Sequence, residues 1–436
     1  MLNLHKITCV LFIFSLFTLP VFAQPNLEYE SIPENFGIDI PSAVVAININ
    51  YDEVDTERQI FHLFLPDTTG NFPLVVYIHG GGFTGGNPGT VFNNSDRMTE
   101  VKYFLENGFA YASFGYRVIN SDQADTEGVI KSLNDSKRAL QYVRHYADEL
   151  NINPDKIGLV GTSAGAGTSL WLSTRSDMAN PNASDPILRE STRVCAVAAI
   201  GSQSTYDIYK WETEVYNDFD GKGTNYTLDS MANLLSFERF SNFYGGLDSV
   251  YQVVHDPALI QYREDVDMLY HMSSDDPPLY VLSRSGAVHP GDDLFHHSYH
   301  GQAIYETALV ANLPEVKADI RAQSINTTED ETHYEFLFRH VNACLAITST
   351  SDEVKNEDDR VFIFPNPART QFTIQLQNDG IKLVEAYTIS GQFMGRINGK
   401  NSNMLTIPTS SLKPGMYVLR ITTTNGNKVA RKLLVE

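Results

Sequence analysis

Two hydrophobic rhythms alternate along the chain between about residues 59 and 345. Leu74–Ile78 is an unbroken apolar run, the pattern of a strand buried on both faces. Gln59–Leu65 (ending at Pro66), Ala110–Gly115, Ile157–Val160, Val194–Ile200, Leu279–Leu282 and Asp319–Ser324 are the other expected strands. Between them Ile130, Leu133, Leu140, Val143 and Leu150 recur at helical spacing, and Asn153-Pro154-Asp155 breaks that helix before the next strand. Later helices are expected over Gln302–Leu309 and Tyr334–Leu345. Strands separated by helices imply right-handed crossovers, hence an α/β fold with a mostly parallel sheet. Ser202–Met272, rich in Tyr, Asp and Ser, breaks the alternation and is expected to be a cap or lid insertion at about 202–272.

The rhythm changes near the end. Ser349–Arg360 has no periodicity and many charges, so it is expected to be a linker. Beyond it Val361–Phe364, Gln371–Leu376, Leu383–Ile389, Met404–Ile407, Met416–Ile421 and Val429–Val435 are short β-patterned runs separated by Gly, Pro and Asn. That spacing predicts a small all-β sandwich over 361–436, after an α/β domain over 24–348. At the other end, Met1–Ala23 has a basic start, an apolar run from Ile7 to Phe17, and Val21-Phe22-Ala23 as a cleavage site. This is the pattern of a secretory signal peptide, shorter than the ~20 apolar residues of a membrane span.

Charge sharpens the division. The chain of 436 residues carries 32 Lys and Arg against 53 Asp and Glu, a net charge of −21. From Val361 onward nine basic residues face three acidic ones, so the tail's +6 and the leader's +1 leave −28 between them. Such acidity repels phosphate backbones and anionic lipid, which argues against nucleic acid as a partner. No later stretch is apolar enough to span a membrane as a helix. After the leader only Cys195 and Cys344 remain, and two buried free thiols are expected in preference to a disulfide.

Two glycine-rich motifs carry the chemistry. Gly161-Thr162-Ser163-Ala164-Gly165 follows the strand Ile157–Val160 and precedes a helical stretch, which is G-x-S-x-G in its strand–turn–helix setting. A Ser on such a turn is held in a strained backbone conformation with its hydroxyl at a helix N-terminus, where orphan N–H groups favour negative charge. Upstream, Leu74–Ile78 runs into His79-Gly80-Gly81-Gly82-Phe83. Glycines there let backbone N–H groups approach a carbonyl oxygen, and no Lys-Ser/Thr follows to make a phosphate loop.

With these motifs the chain resembles the α/β-hydrolase superfamily, in particular its carboxylesterase and hormone-sensitive-lipase-like branch, over about Pro41–Ala346. The resemblance implies an α/β-hydrolase fold, Ser163 as nucleophile, and Gly81, Gly82 and Ala164 as oxyanion donors. His79 would shape its loop. The family orders its triad as Ser, acid, His, which points to His333 as base, with His340 as a solvated residue of the last helix. The usual place for the acid falls near His296-His297, where no carboxylate stands; Asp292 or Asp293 is expected to serve, with Asp207 or no acid as alternatives. His296 and His300, at i and i+4, invite a metal reading, but without an H-E-x-x-H arrangement no metal is predicted.

The tail has its own resemblance. Pro365-Asn366-Pro367, Leu412-Lys413-Pro414-Gly415-Met416-Tyr417-Val418 and Lys428-Val429-Ala430-Arg431-Lys432 resemble the type A sorting domain of the type IX secretion system. This implies handling by that secretion machinery after export through the periplasm, and a final place in the medium or on the cell surface. The functional expectation is a secreted serine carboxylesterase needing no cofactor, acting on a small-molecule or glycan-borne ester. A catalytically degenerate binding module on the cell surface, and a peptidase on the same fold, are the alternatives.

Overall fold

The computed structural model describes residues 25, 27–119, 124–216, 226–286, 293–344, 361–364, 368–376, 379–388, 393–410, 412–413, 415–425 and 428–435. The leader, the linker Ser349–Arg360, Asp292 and Pro365-Asn366-Pro367 lie outside the described residues.

Ten strands form the large sheet: β1 (Tyr29–Ser31), β2 (Val44–Asn50), β3 (Ile60–Leu65), β4 (Phe72–Ile78), β5 (Ala110–Phe114), β6 (Ile152–Thr162), β7 (Ala196–Ile200), β8 (Leu279–Ser283), β9 (Val316–Ile320) and β10 (Ile325–Asn326). Their order is β1-β2-β3-β5-β4-β6-β7-β8-β9-β10. From β5 through β9 neighbouring strands are parallel, and antiparallel strands flank them on both sides. The chain leaves β4 for β5 on one side and returns to β6 on the other, so the C-terminal ends of β4 and β6 flank a topological switch point. Ligands of open α/β sheets bind in such a crevice. Ile78 pairs with Gly161 there, which places the two glycine motifs side by side.

The unbroken apolar runs are explained by burial on both faces. In β4, Leu74, Val76 and Ile78 join the core under helices α2 (Val129–His145) and α3 (Ala164–Thr174), while Val75 and Tyr77 point into the core under α1 (Ser95–Glu106). The helix His333–Ala343 covers the same face as α1 through Phe336, Leu337 and Val341. Ser298–Ala311 covers the opposite face through Ala303, Ile304 and Ala308.

The expected insertion is helical in its described part: a π-helix at Trp211–Tyr216, then helices Leu228–Leu235, Phe237–Phe243, Tyr251–His255, Pro257–Asp265 and Met268–His271. Trp211, Val215, Met231, Phe240 and Val253 give it a core of its own. The expected strand Asp319–Ser324 is displaced. It ends at Ile320, because Arg321–Gln323 turns as a 3-10 segment and Ser324 is left-handed at φ 54°. Strand β1 escapes the periodicity because it is a short, polar edge strand, and β2 because it carries a register shift between Ala46 and Ile49.

The C-terminal residues form two antiparallel sheets, one of three strands and one of four. Their inward side chains, Phe372, Ile374, Val384, Leu419 and Leu433 among them, share one apolar core. A strand over Phe393–Ser402 joins those expected; its Gly- and Asn-rich sequence hid it.

The free-thiol expectation is corrected. Cys195 and Cys344 form a disulfide with their Cα atoms 5.7 Å apart, tying the chain just before β7 to the end of the last helix across 149 residues. Two cysteines so far apart in sequence carry no local sign of pairing; the fold brings them together. Closing so long a loop restricts the unfolded chain, a stabilisation of about 2–5 kcal/mol. The double variant Cys195→Ser/Cys344→Ser should therefore melt well below the wild type, and dithiothreitol should lower the wild-type Tm in the same way. An unchanged Tm in both experiments would refute it.

Candidate active site

Ser163 sits at the tip of β6 with φ 55° and ψ −122°, a conformation costly for a residue with a Cβ, and α3 begins at the next residue. The strain is held from both sides. The Ser163 N–H donates to the Ile200 carbonyl at 2.9 Å, and its own carbonyl accepts from Ala166 at 2.9 Å and Gly167 at 3.1 Å. Gly165 is required where it stands: a Cβ there would lie 2.0 Å from the Ile78 carbonyl oxygen, so only glycine lets α3 press against the end of β4.

The neighbouring loop is equally constrained. Gly81 adopts φ 123° and a Cβ on it would meet Gly85 O at 2.3 Å, while Gly82 and Phe83 follow at φ 60° and 62°. The Gly81 carbonyl accepts from Thr84 and Gly85, both at 3.1 Å, which turns the loop. Among the described residues no hydrogen-bond acceptor of the chain engages the N–H groups of Gly81, Gly82 or Ala164. His79 is a framework residue. It stacks on Tyr116 at 4.2 Å, its Nδ1 lies 2.7 Å from Gly80 O, and the Tyr116 hydroxyl donates to its carbonyl at 2.8 Å. Burial pushes its imidazole down to about 4.

The histidine facing Ser163 is His296. Its Nε2 lies 2.8 Å from Ser163 Oγ. Its Nδ1 lies 3.2 Å from Asp293 Oδ1, and the same carboxylate oxygen accepts the His296 backbone N–H at 3.0 Å. Ser285 Oγ donates to Asp293 Oδ2 at 3.1 Å. One turn between β8 and the helix Ser298–Ala311 thus carries both a carboxylate and an imidazole, three residues apart.

This corrects the expected base. His333 Nε2 lies 2.5 Å from Glu100 Oε1, on the face of the sheet covered by α1 and the last helix. Glu100 is buried, paired with Arg97 at 2.7 Å, and accepts from the Tyr111 hydroxyl at 2.9 Å. A capping box between Thr332 and Glu335 starts the helix at His333 and fixes the imidazole toward that buried carboxylate. Asp207 is likewise placed elsewhere, bonded to Arg263 Nε at 2.8 Å inside the cap. His340 is partly buried against Phe336, 3.2 Å from a Glu315 oxygen, rather than solvated. Of the expected site residues, Ser163, Gly81, Gly82, Ala164 and Asp293 come together, His333 does not, and Asp292 lies outside the described residues. His296 was not expected at Ser163, and its signal was Asp293-Leu294-Phe295-His296 itself, with carboxylate and imidazole at turn spacing just ahead of a helix.

His296 and His300 do not share a helical face, because the helix begins at Ser298. His300 is buried, with Nδ1 accepting the Ser204 N–H at 3.2 Å and Nε2 donating to the Leu294 carbonyl at 3.1 Å. That pairing requires a neutral ring, and burial pushes its pKa down to about 3. Since the unfolded imidazole titrates near ~6.5, only the unfolded state binds this proton between those values. The contribution of His300 is therefore complete above ~6.5 and declines by up to ~1.4 kcal/mol per pH unit as pH falls toward the folded value. Urea unfolding at pH 7 and pH 5 should show a shallower loss for His300→Gln than for the wild type. Equal losses would contradict the assignment.

Residues of the insertion pack against the glycine loop and the Asp293–His296 turn. Phe83 of the glycine loop packs against Tyr206 at 5.0 Å and Phe243 at 6.1 Å, and Gln203 Nε2 donates to Phe295 O at 2.8 Å. Phe83, Tyr206, Trp211, Phe243, Phe295 and Arg239 line a small cavity beside Gly82.

Residues 61–238 match the family model BD-FAE, and residues 362–436 match the secretion system C-terminal sorting domain. Among curated proteins, an endo-acting ulvan lyase of Formosa agariphila is 33% identical over 101 residues, 22% of this chain and 19% of that protein. The chain thus spans about a fifth (19%) of that relative's length. Among solved structures, a truncated form of a carbohydrate esterase from gut microbiota is 14% identical with a TM-score of 0.44, covering 70% of this chain and 98% of that one. Esterase B from Lactobacillus rhamnosis is 16% identical with a TM-score of 0.44, covering 70% and 87%. The acetyl ester-xyloside bifunctional hydrolase from Caldicellulosiruptor lactoaceticus is 18% identical with a TM-score of 0.40, covering 69% and 87%.

Proposed function

We propose that this chain, whose residues 61–238 match the BD-FAE model and whose residues 362–436 match the secretion system C-terminal sorting domain, is a secreted serine carboxylesterase. The observation that carries this reading is the 2.8 Å contact between Ser163 Oγ, on its strained turn, and His296 Nε2. Ser163 Oγ attacks the ester carbonyl as its proton passes to His296, and the same imidazole then protonates the leaving alcohol. Asp293 holds the Nδ1 proton and stabilises the imidazolium. The N–H groups of Gly81, Gly82 and Ala164 receive the oxyanion of each tetrahedral intermediate. Water, activated by His296, releases the acid from the acyl-enzyme.

An ester borne on a glycan is the proposed substrate class, with the polar and aromatic cap shaping its pocket. The leader Met1–Ala23 is proposed to direct export to the periplasm, and type IX machinery to act on the tail, leaving the enzyme released or on the cell surface. A fluorophosphonate probe tests the nucleophile. The mature chain should gain one adduct that maps to Ser163, and Ser163→Ala should gain none. Absence of an adduct, together with no turnover of p-nitrophenyl acetate, would leave a binding module instead.

A further inference from the structure

The cap carries several cations, and the structure treats one of them differently. Lys210 is bonded to Asp267 and lies 3.3 Å from Glu214, and Arg263 is bonded to Asp207 at 2.8 Å. Arg239, in the helix Phe237–Phe243, has no carboxylate within ion-pair distance among the described residues. Its guanidinium lies over the Phe295 ring at 5.0 Å, and its Nη2 is 3.5 Å from the Gly82 carbonyl oxygen. Gly82 belongs to the glycine loop, and Phe295 immediately precedes His296. The cation therefore bridges the two loops that flank Ser163, on the wall of the aromatic cavity.

A half-buried cation without an anionic partner is unfavourable to hold, and burial does lower the pKa of Arg239. A guanidinium has five N–H donors in a planar fork that matches a carboxylate, and the long carbonyl contact uses one of them. The whole chain, at −21, repels anions at long range, so an acidic ligand would have to be recognised by a local contact of this kind.

We propose that Arg239 is a substrate-binding residue that pairs with a carboxylate carried by the ester, so that the enzyme prefers acidic esters to neutral ones. This inference rests on the serine esterase reading given above. The carboxylate has two possible sources: the acyl group, as in the half-ester of a dicarboxylic acid, or the alcohol, as in an acylated uronate-containing glycan.

Paired substrates separate the two. On the acyl side, p-nitrophenyl hydrogen succinate is compared with p-nitrophenyl acetate; on the alcohol side, O-acetylated trigalacturonate with O-acetylated xylotriose. In one pair the wild type should show a kcat/KM at least tenfold higher for the anionic member. Arg239→Gln should reduce that ratio by tenfold or more, about the effect of losing a charge-assisted bidentate contact. Arg239→Lys should restore part of it, because an ammonium keeps the charge without the fork. Thermal melting of each variant checks that it is folded. Ratios that Arg239→Gln leaves unchanged in both pairs would overturn the inference while neutral-ester turnover by the wild type leaves the esterase reading intact. If the wild type hydrolyses none of the four esters, the esterase reading fails. Calorimetric binding of succinate and trigalacturonate then decides separately: binding lost in Arg239→Gln supports the carboxylate site, and equal or absent binding overturns it.

Discussion

His296→Ala is expected to lower kcat on p-nitrophenyl acetate by about 10⁴–10⁶-fold, close to the loss from Ser163→Ala, because nucleophile and base act as one unit. The expectation rests on the 2.8 Å approach of Nε2 to Ser163 Oγ and on the lack of any other imidazole at that hydroxyl among the described residues. His333→Ala is the informative control. Its imidazole is bound to Glu100 beneath α1, so kcat should stay within a few-fold of the wild type. Stability should fall instead, by about 1–3 kcal/mol, since a buried carboxylate loses one partner and keeps Arg97 and Tyr111. Steady-state kinetics and thermal melts on both variants test the pair of statements together. A severe loss of kcat in His333→Ala with normal turnover in His296→Ala would reverse the assignment.

The contrast between these histidines marks what the sequence makes legible. The nucleophile turn and the glycine loop are contiguous stretches whose chemistry needs glycine at fixed offsets, so each can be read without knowing the fold. Gly165 is the physical case: the clash that any Cβ there would make with the Ile78 carbonyl ties one motif to the other through β4 and β6. The parallel sheet is legible for a related reason, since strands buried on both faces leave unbroken apolar runs such as Leu74–Ile78. An acid and a base need only converge in space, and chain order gives a weak constraint on where they stand.

Under the proposed assignment they converge within a single turn. Chain order Ser163, Asp293, His296 is kept, yet the histidine arrives one loop earlier than expected. His333, a histidine at the start of the last helix, offered a false match whose real partner, Glu100, lies 233 residues away in the chain. The Cys195–Cys344 pairing was hidden in the same way, by a contact that exists only once the last helix is packed on the sheet. The edge strand β1 and its neighbour β2 were missed because a partly exposed strand does not show the continuous apolar signal of a central one.

Asp293→Asn is the second substitution with a large expected effect, and it isolates the carboxylate from the turn that carries it. The amide oxygen can still accept the His296 backbone N–H, now at 3.0 Å, so the turn should keep its shape. What changes is the partner of Nδ1. A carboxylate only accepts, and so fixes the proton on Nδ1 and leaves Nε2 free to take the proton of Ser163. An amide can instead present N–H to Nδ1, stabilising the tautomer with the proton on Nε2, which cannot act as a base. It also no longer offsets the charge of the imidazolium. Together these effects should cost about 10³–10⁴ in kcat with little change in KM. Asp293→Ala should lose comparable activity and also loosen the turn, because both the His296 N–H and the Ser285 hydroxyl lose their acceptor. The two variants therefore separate by Tm, and they should agree in kcat. Turnover of Asp293→Asn within tenfold of the wild type would assign the acid elsewhere, and the adjacent Asp292 would then be the residue to replace.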